Sequence, residues 1–117
     1  MLTPVRRIEK PWGYELVFAH TDRYVGKILH VDAGHALSLQ YHERKDETLY
    51  LTHGEIELEV DEDGAIVKHV LRGGDSYRIT PNTRHRLVAG ESGCDIIEVS
   101  TPELDDVVRL EDRYGRV

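Results

Sequence analysis

Apolar and polar residues alternate with a period of two in three separate runs, "GKILHV" (26–31), "EIELEV" (55–60) and "DIIEVS" (95–100). That period sends successive side chains to opposite faces of an extended chain, so each run reads as a half-buried β-strand. Turn-forming residues punctuate the runs: "DAG" at 32–34, "DEDG" at 61–64, "RGGD" at 72–75 and "AGESG" at 89–93. "DEDG" predicts a hairpin, because glycine accepts the positive φ of tight hairpin turns. The whole pattern predicts about eight short strands at a spacing of about ten residues, the rhythm of a sandwich or barrel. Only "STPELDDVVRLEDRYGRV" at the C-terminus departs from it. Thr101 is placed there as an N-cap and Pro102 as a first helical residue, with acids following, which predicts a short helix or a coiled tail. No repeat, low-complexity tract or linker interrupts the chain, so residues 1–117 read as one all-β domain.

Length and composition narrow the classes of function. A chain of 117 residues has room for one modest core. A formal charge of −7 and a pI near 5.4 argue against nucleic acid, whose phosphates demand a basic footprint. An acidic protein can still hold a small phosphorylated ligand through locally placed Arg and Lys. No run approaches the ~20 apolar residues that span a bilayer, so no membrane partner is expected. The N-terminal "MLTPVRRIEKPWG" has two arginines with no apolar run behind them, which does not read as a secretory signal and leaves a cytoplasmic protein as the default. Cys94 is the single cysteine, so neither an intrachain disulfide nor a cysteine-rich zinc cluster is available.

Candidate chemistry concentrates in "LSLQYHERKDETLYLTHG" (37–54). On a strand, Ser38, Gln40 and His42 share one face, and Leu37, Leu39 and Tyr41 share the other. Glu47 opens the next strand-like run after the polar turn "ERKD" and is expected across a hairpin from His42. His85 follows much later, in "TPNTRHRLV". Taken singly, each is an ordinary exposed residue of a half-solvated sheet. Taken together they read differently, because the opposite face is apolar and also calls for burial. A covered face carrying an amide, an imidazole and a carboxylate is costly unless something satisfies them. A divalent cation does so: imidazoles, a carboxylate and an amide oxygen form a mixed N/O donor set that leaves positions for water or substrate.

From Gly34 to Gly54 the chain resembles the first motif of the cupins, G-x5-H-x-H-x4-E-x6-G. Gly34, His42, Glu47 and Gly54 stand in register, with Gln40 where most cupins have the first His. From Gly74 to Ala89 it resembles the second motif, G-x5-P-x-G-x2-H-x3-N. Gly74 and His85 match there, while Thr80, Asn82 and Ala89 replace Pro, Gly and Asn. The glutamine is similar to the mannose-6-phosphate isomerase branch, whose metal is held by Gln, His, Glu and His. "KPWGYELV" (10–17), "LSLQYH" (37–42) and "DDVVRLEDRYGR" (105–116) resemble the isomerase domain at the C-terminus of bifunctional mannose-1-phosphate guanylyltransferases. The chain holds no nucleotidyltransferase stretch, so guanylyl transfer is not expected of it.

The resemblance implies a single cupin barrel (a double-stranded β-helix, or jelly roll). It implies a divalent metal on Gln40, His42, Glu47 and His85, zinc first, with manganese, iron, cobalt or nickel as alternatives. It also implies a sugar-phosphate partner, a homodimer, and interconversion of mannose 6-phosphate and fructose 6-phosphate by proton transfer between C1 and C2. Lys27 and Lys45 are the candidate proton carriers. Arg109 is a candidate catalytic residue that anchors the phosphate, with Arg113 and Arg116 beside it in the tail. Residues 105–116 are expected against the open end of the cavity with Arg109 inward, since Val107, Val108 and Leu110 would be wasted in solvent. Glu98, polar amid "IIEV", is a candidate for pointing inward, and Trp12 reads as a structural plug. The remaining histidines, His20, His30, His35, His53 and His69, have no ligand-like spacing. Two departures stand out: the family usually has Arg three residues after the second ligand, where this chain has Lys45, and His-Trp after the glutamate, where it has Thr48 and Leu49. They keep two alternatives open, a metal cupin of other activity such as an iron-dependent oxygenase, and a non-catalytic sugar-binding cupin.

Overall fold

The period-two runs carry directly into extended chain. In the computed structural model, which describes residues 1–117, nine strands form and no helix does. They are β1 (Arg6–Lys10), β2 (Gly13–His20), β3 (Val25–Val31), β4 (Leu39–Tyr41), β5 (Glu47–Glu62), β6 (Ala65–Arg72), β7 (Ser76–Ile79), β8 (His85–Ser100) and β9 (Val108–Glu111). β5 and β8, of 16 residues each, organise the rest. They pair antiparallel along most of their length, but the register slips between Leu51 and His53 and again between Gly54 and Ile56. Such irregularities bend a strand, and here they divide one sheet into two walls. The first wall runs β1-β2-β3, then the C-terminal half of β8, the N-terminal half of β5, and β7. The second runs β9-β4, the N-terminal half of β8, the C-terminal half of β5, and β6. Gly54 sits at the bend with φ +86, and a Cβ there would lie 2.3 Å from the Gly93 carbonyl oxygen, so the crossing needs glycine.

The hairpin at "DEDG" forms as expected. Glu62 pairs with Ala65, leaving Asp63 and Gly64 as a two-residue turn with φ 55° and 88°, the positive values that suit the twist of the flanking strands. Between the walls, the inward residues of both long strands build the core, with Leu49, Leu51, Ile56, Leu58, Val60 and Ile96 all at most 2% exposed. Burying each side chain of this size stabilises the fold by roughly 1.5–3 kcal/mol. Cys94 belongs to this core, and burial, with the Asp95 charge second, pushes its thiol up to about 12. It is a packing residue and carries no chemistry.

Two expectations are corrected. The C-terminal stretch does not form a helix: Val108–Glu111 pairs with β4 as an edge strand. Thr101 spends its capping groups elsewhere, its amide donating to the Asp46 carbonyl at 3.0 Å and its hydroxyl accepting the Asp46 amide at 3.0 Å. Nor does Glu47 lie across a hairpin from His42. β4 pairs with β8 and β9, while the Glu47 end of β5 pairs with β7 and β8 in the opposite wall. No helix is long and apolar enough to cross a membrane.

Candidate metal centre and its cavity

Among the apolar side chains of the interior the chain also buries Glu15, Lys27, Ser38, His42, Lys45, Glu47, His85 and Glu98. From the second wall come His42, at the end of β4, and His85, at the start of β8. From the first wall comes Glu47. Its Oε1 lies 3.3 Å from His42 Nε2 and 3.3 Å from His85 Nε2. The three side chains are at most 5% exposed, and one donor atom of each lies within 4.8 Å of the others. Opposed walls thus deliver a carboxylate and two imidazoles to one point.

The outer nitrogens fix which ring atom is free. His42 Nδ1 donates to the Asp106 carbonyl at 2.6 Å, and His85 Nδ1 donates to the Thr83 carbonyl at 2.9 Å. A carbonyl only accepts, so Nδ1 carries the hydrogen and the Nε2 lone pairs face the cluster. His42 Nε2 has no hydrogen-bond partner although it is buried. Leaving such a group unsatisfied costs about 1–3 kcal/mol. A divalent cation accepting both lone pairs and the carboxylate removes that cost, so the donor set fits a metal ion. Burial pushes the Glu47 carboxyl up, and the Lys45 ammonium beside it draws it down. Gln40 is the direct cross-strand neighbour of His85, and its amide oxygen accepts the Ser38 hydroxyl at 2.9 Å.

Beside the cluster lies a chain of buried ion pairs on the first wall. Lys45 Nζ is 3.1 Å from Glu47 Oε2 and 3.0 Å from Glu98 Oε2. Lys27 Nζ is 3.2 Å from Glu15 Oε2 and 3.8 Å from Glu98 Oε2. Burial opposes the Lys45 charge, but Glu98 and Glu47 outweigh it and hold its pKa above the usual lysine value. Burial and the Glu47 charge push the Glu98 carboxyl up despite the two lysines. Lys45 thus sits as a hydrogen-bond donor between the Glu47 and Glu98 carboxylates.

A cavity of ≈ 300 Å³ opens above these groups. Gln40, His42, Lys27, Lys45 and Glu98 line it, and Arg109 and Arg116 of the tail lie on its wall. Arg109 is the cross-strand partner of Gln40, so it continues the row that leads to His85. Arg116 is taken up by Asp112, at 2.8 and 3.0 Å, and this pairing holds the Asp112 carboxyl at about 2. Arg113 is exposed, donates to the Gly34 carbonyl at 3.2 Å and does not line the cavity. Trp12 is buried against the core and also forms part of the cavity wall.

Asp106, Glu15, Arg6 and Lys10 were not foreseen as site residues. Asp106 holds the segment after β4: its carboxylate accepts the amides of Glu43, Arg44 and Lys45 at 3.1, 2.7 and 2.9 Å, while its carbonyl holds His42. Nothing in its own neighbourhood signals this, because all four partners are more than 60 positions away. Glu15 was legible in principle, as the one acid in the otherwise uncharged run "WGYELVFA". The two departures from the family pattern resolve differently. Lys45 occupies the cavity, whereas Thr48 faces out of the barrel and Leu49 is core, so neither of the latter lines the cavity.

The family model described as the C-terminal part of mannose-6-phosphate isomerase matches residues 2–112. A mannose-1-phosphate guanylyltransferase of Escherichia coli is 38% identical over 117 residues, covering 96% of this chain and 23% of that protein. The chain thus spans about a quarter of the length of the curated relatives it matches. Among solved structures, KdgF from Halomonas sp. is similar with a TM-score of 0.72 at 26% identity, over 88% of this chain and 91% of that one. Oxalate decarboxylase from Bacillus subtilis has a TM-score of 0.82 at 16% identity, over 93% of this chain and 31% of that one, a likeness of fold alone.

Proposed function

Because the chain belongs to the mannose-6-phosphate isomerase C-terminal family of cupins, we propose that it is a metal-dependent sugar-phosphate isomerase interconverting mannose 6-phosphate and fructose 6-phosphate. The observation that carries this reading is the buried His42, Glu47 and His85 cluster, which meets the cavity through His42, with an unpaired arginine on the cavity wall. A divalent ion held by these three, with Gln40 beside them, would supply Lewis-acid polarisation of the sugar oxygens. The sulfur-free donor set suits zinc, and also manganese, iron, cobalt or nickel.

The chain's own side chains supply the rest. Moving one proton between adjacent carbons needs one group that reaches both. Glu98 is placed for this, as a buried carboxylate on the cavity wall beside the cluster. Lys45 and Lys27 bracket it and fix its position. Lys45 can also donate a hydrogen bond to a sugar oxygen as charge develops there. At the other end Arg109 anchors the phosphate through a bidentate contact and so orients the sugar carbons over Glu98. Trp12 and Leu29 close the apolar side and keep water from the reacting carbons.

The test is a coupled assay for fructose 6-phosphate formed from mannose 6-phosphate. Turnover should vanish with a chelator and return when divalent metal is restored. Tight binding of mannose 6-phosphate without conversion would replace the isomerase by a sugar-binding cupin.

A further inference from the structure

The curl of the sheet brings its two outermost strands to one place. β1 ends the first wall and β9 ends the second, and residues of both line the same cavity. Along β1 the inward positions are Arg6, Ile8 and Lys10, while Arg7 and Glu9 point away and pair with each other at 2.6 Å. Lys10 has an acid nearby, Glu15, at 3.8 Å. Arg6 has neither a carboxylate within ion-pair distance nor any side-chain hydrogen bond. On β9, Arg109 is likewise without a carboxylate, and its Nε is buried with no partner.

Elsewhere acids are readily recruited: Arg7, Arg72, Arg78, Arg84, Arg86 and Arg116 each have one. Arg23, Arg44 and Arg113 also lack one, but unlike Arg6, which is exposed as they are, they do not line the cavity. The cavity wall carries six Lys and Arg against four Asp and Glu, in a chain whose net charge is −7. The local sign is therefore reversed, and the two arginines without acids stand on the two terminal strands of the sheet, β1 and β9. Arg6 also shares a cross-strand row with Glu98, through Val17 and Lys27. That is three strand steps of about 4.8 Å, a span that the two side chains and an extended hexose chain fill.

We propose that Arg6 is a phosphate-binding residue which, with Arg109, clamps the phosphate monoester of the substrate between the two edge strands of the barrel. The identity of the sugar rests on the isomerase reading, whereas the clamp rests on the cavity's own charge. A phosphate dianion accepts a fork of hydrogen bonds from each guanidinium. Bound ligand then joins β1 to β9, two strands that otherwise have no pairing to each other. β1 is held on one side only and belongs to the labile part of the fold, so its backbone amides report the clamp.

Metal-loaded protein and its Arg6→Gln, Arg109→Gln and Arg7→Gln variants are titrated with mannose 6-phosphate, inorganic phosphate and mannose. Circular dichroism and metal content serve as controls of folding and of the metal site. Arg6→Gln and Arg109→Gln should each raise the Kd for mannose 6-phosphate about tenfold or more, with unchanged metal content. Arg7→Gln, which removes the same charge from the outward face of the same strand, should bind as wild type. The effects of the two inward substitutions should be non-additive in the double variant, as for residues sharing one partner. Hydrogen exchange of the Arg6–Lys10 amides should slow with mannose 6-phosphate and not with mannose. Wild-type affinity in Arg6→Gln, or β1 exchange indifferent to ligand, overturns the clamp while leaving the isomerase reading intact if turnover persists. Arg6-dependent binding without turnover upholds the clamp and overturns the isomerase. Failure of the wild-type protein to bind any phosphate monoester overturns the clamp.

Discussion

His42→Ala is expected to leave a folded protein that holds no divalent metal and has lost turnover by a factor of about a thousand or more. The metal effect follows from the geometry, because His42 Nε2 is one of only two imidazole nitrogens in the cluster, and its lone pair is directed there by the Nδ1 bond to Asp106. Without it, Glu47 and His85 remain as a two-residue site whose carboxylate is still paired with Lys45. The size of the catalytic effect reflects the several kcal/mol that a Lewis acid supplies, at 1.36 kcal/mol per factor of ten. The structural cost is smaller. One hydrogen bond to the Asp106 carbonyl is lost, at about 1 kcal/mol, and His42 is not a member of the buried apolar cluster. Metal analysis after dialysis, a melting curve and the isomerase assay measure the three consequences separately. A variant that retains both metal and turnover would place the centre elsewhere.

Glu98→Gln should produce the complementary result: metal retained, fold retained, and kcat reduced by about 10²–10⁴. Glutamine preserves the shape of the side chain and removes its ability to take up a proton. Glu98 is not among the clustered metal donors, so loading should not change. Each buried lysine also keeps one acid, Lys45 through Glu47 and Lys27 through Glu15, so neither charge is stranded. KM should change little, because the phosphate anchor is untouched. If kcat stays within a few-fold of wild type, Glu98 is not the proton carrier, and Lys27, also buried on the cavity wall, becomes the residue to replace.

The all-β architecture was legible because the signal is local. Alternation in "EIELEV" and the Asp63-Gly64 turn each constrain only their own few residues, and the hairpin they specify is the one observed. Wall assignment was not legible, since it depends on where β5 and β8 bend, and a continuous alternating run does not display that. This is why His42 and Glu47 were expected on paired strands although they come from opposite walls. The C-terminal stretch shows a local preference overridden: Thr101 and Pro102 are good helix-start residues, but pairing with β4 and the bonds to Asp46 use the same groups better. Asn82, where the motif has glycine, adopts φ 62°, a left-handed conformation that asparagine tolerates, and its amide donates to the His42 carbonyl at 2.7 Å. That departure thus preserves the backbone that the motif needs. Lys45 also departs from the motif, yet a point charge suffices where Glu47 and Glu98 approach from two sides. What sequence spacing could not reach were the long-range supports, Asp106 above all, and the return of β1 to the cavity, which only the curl of the whole sheet creates.

Phosphorus-31 NMR of the metal-loaded protein with a single added sugar phosphate tests the central claim most directly, because it needs no coupling enzyme and separates binding from turnover. Starting from mannose 6-phosphate, the resonance of fructose 6-phosphate should grow until it reaches the same ratio that is approached from fructose 6-phosphate. Chelation should stop both conversions. A mannose 6-phosphate resonance that broadens or shifts without a new species appearing, or that is indifferent to the metal-loaded protein, would contradict the isomerase account.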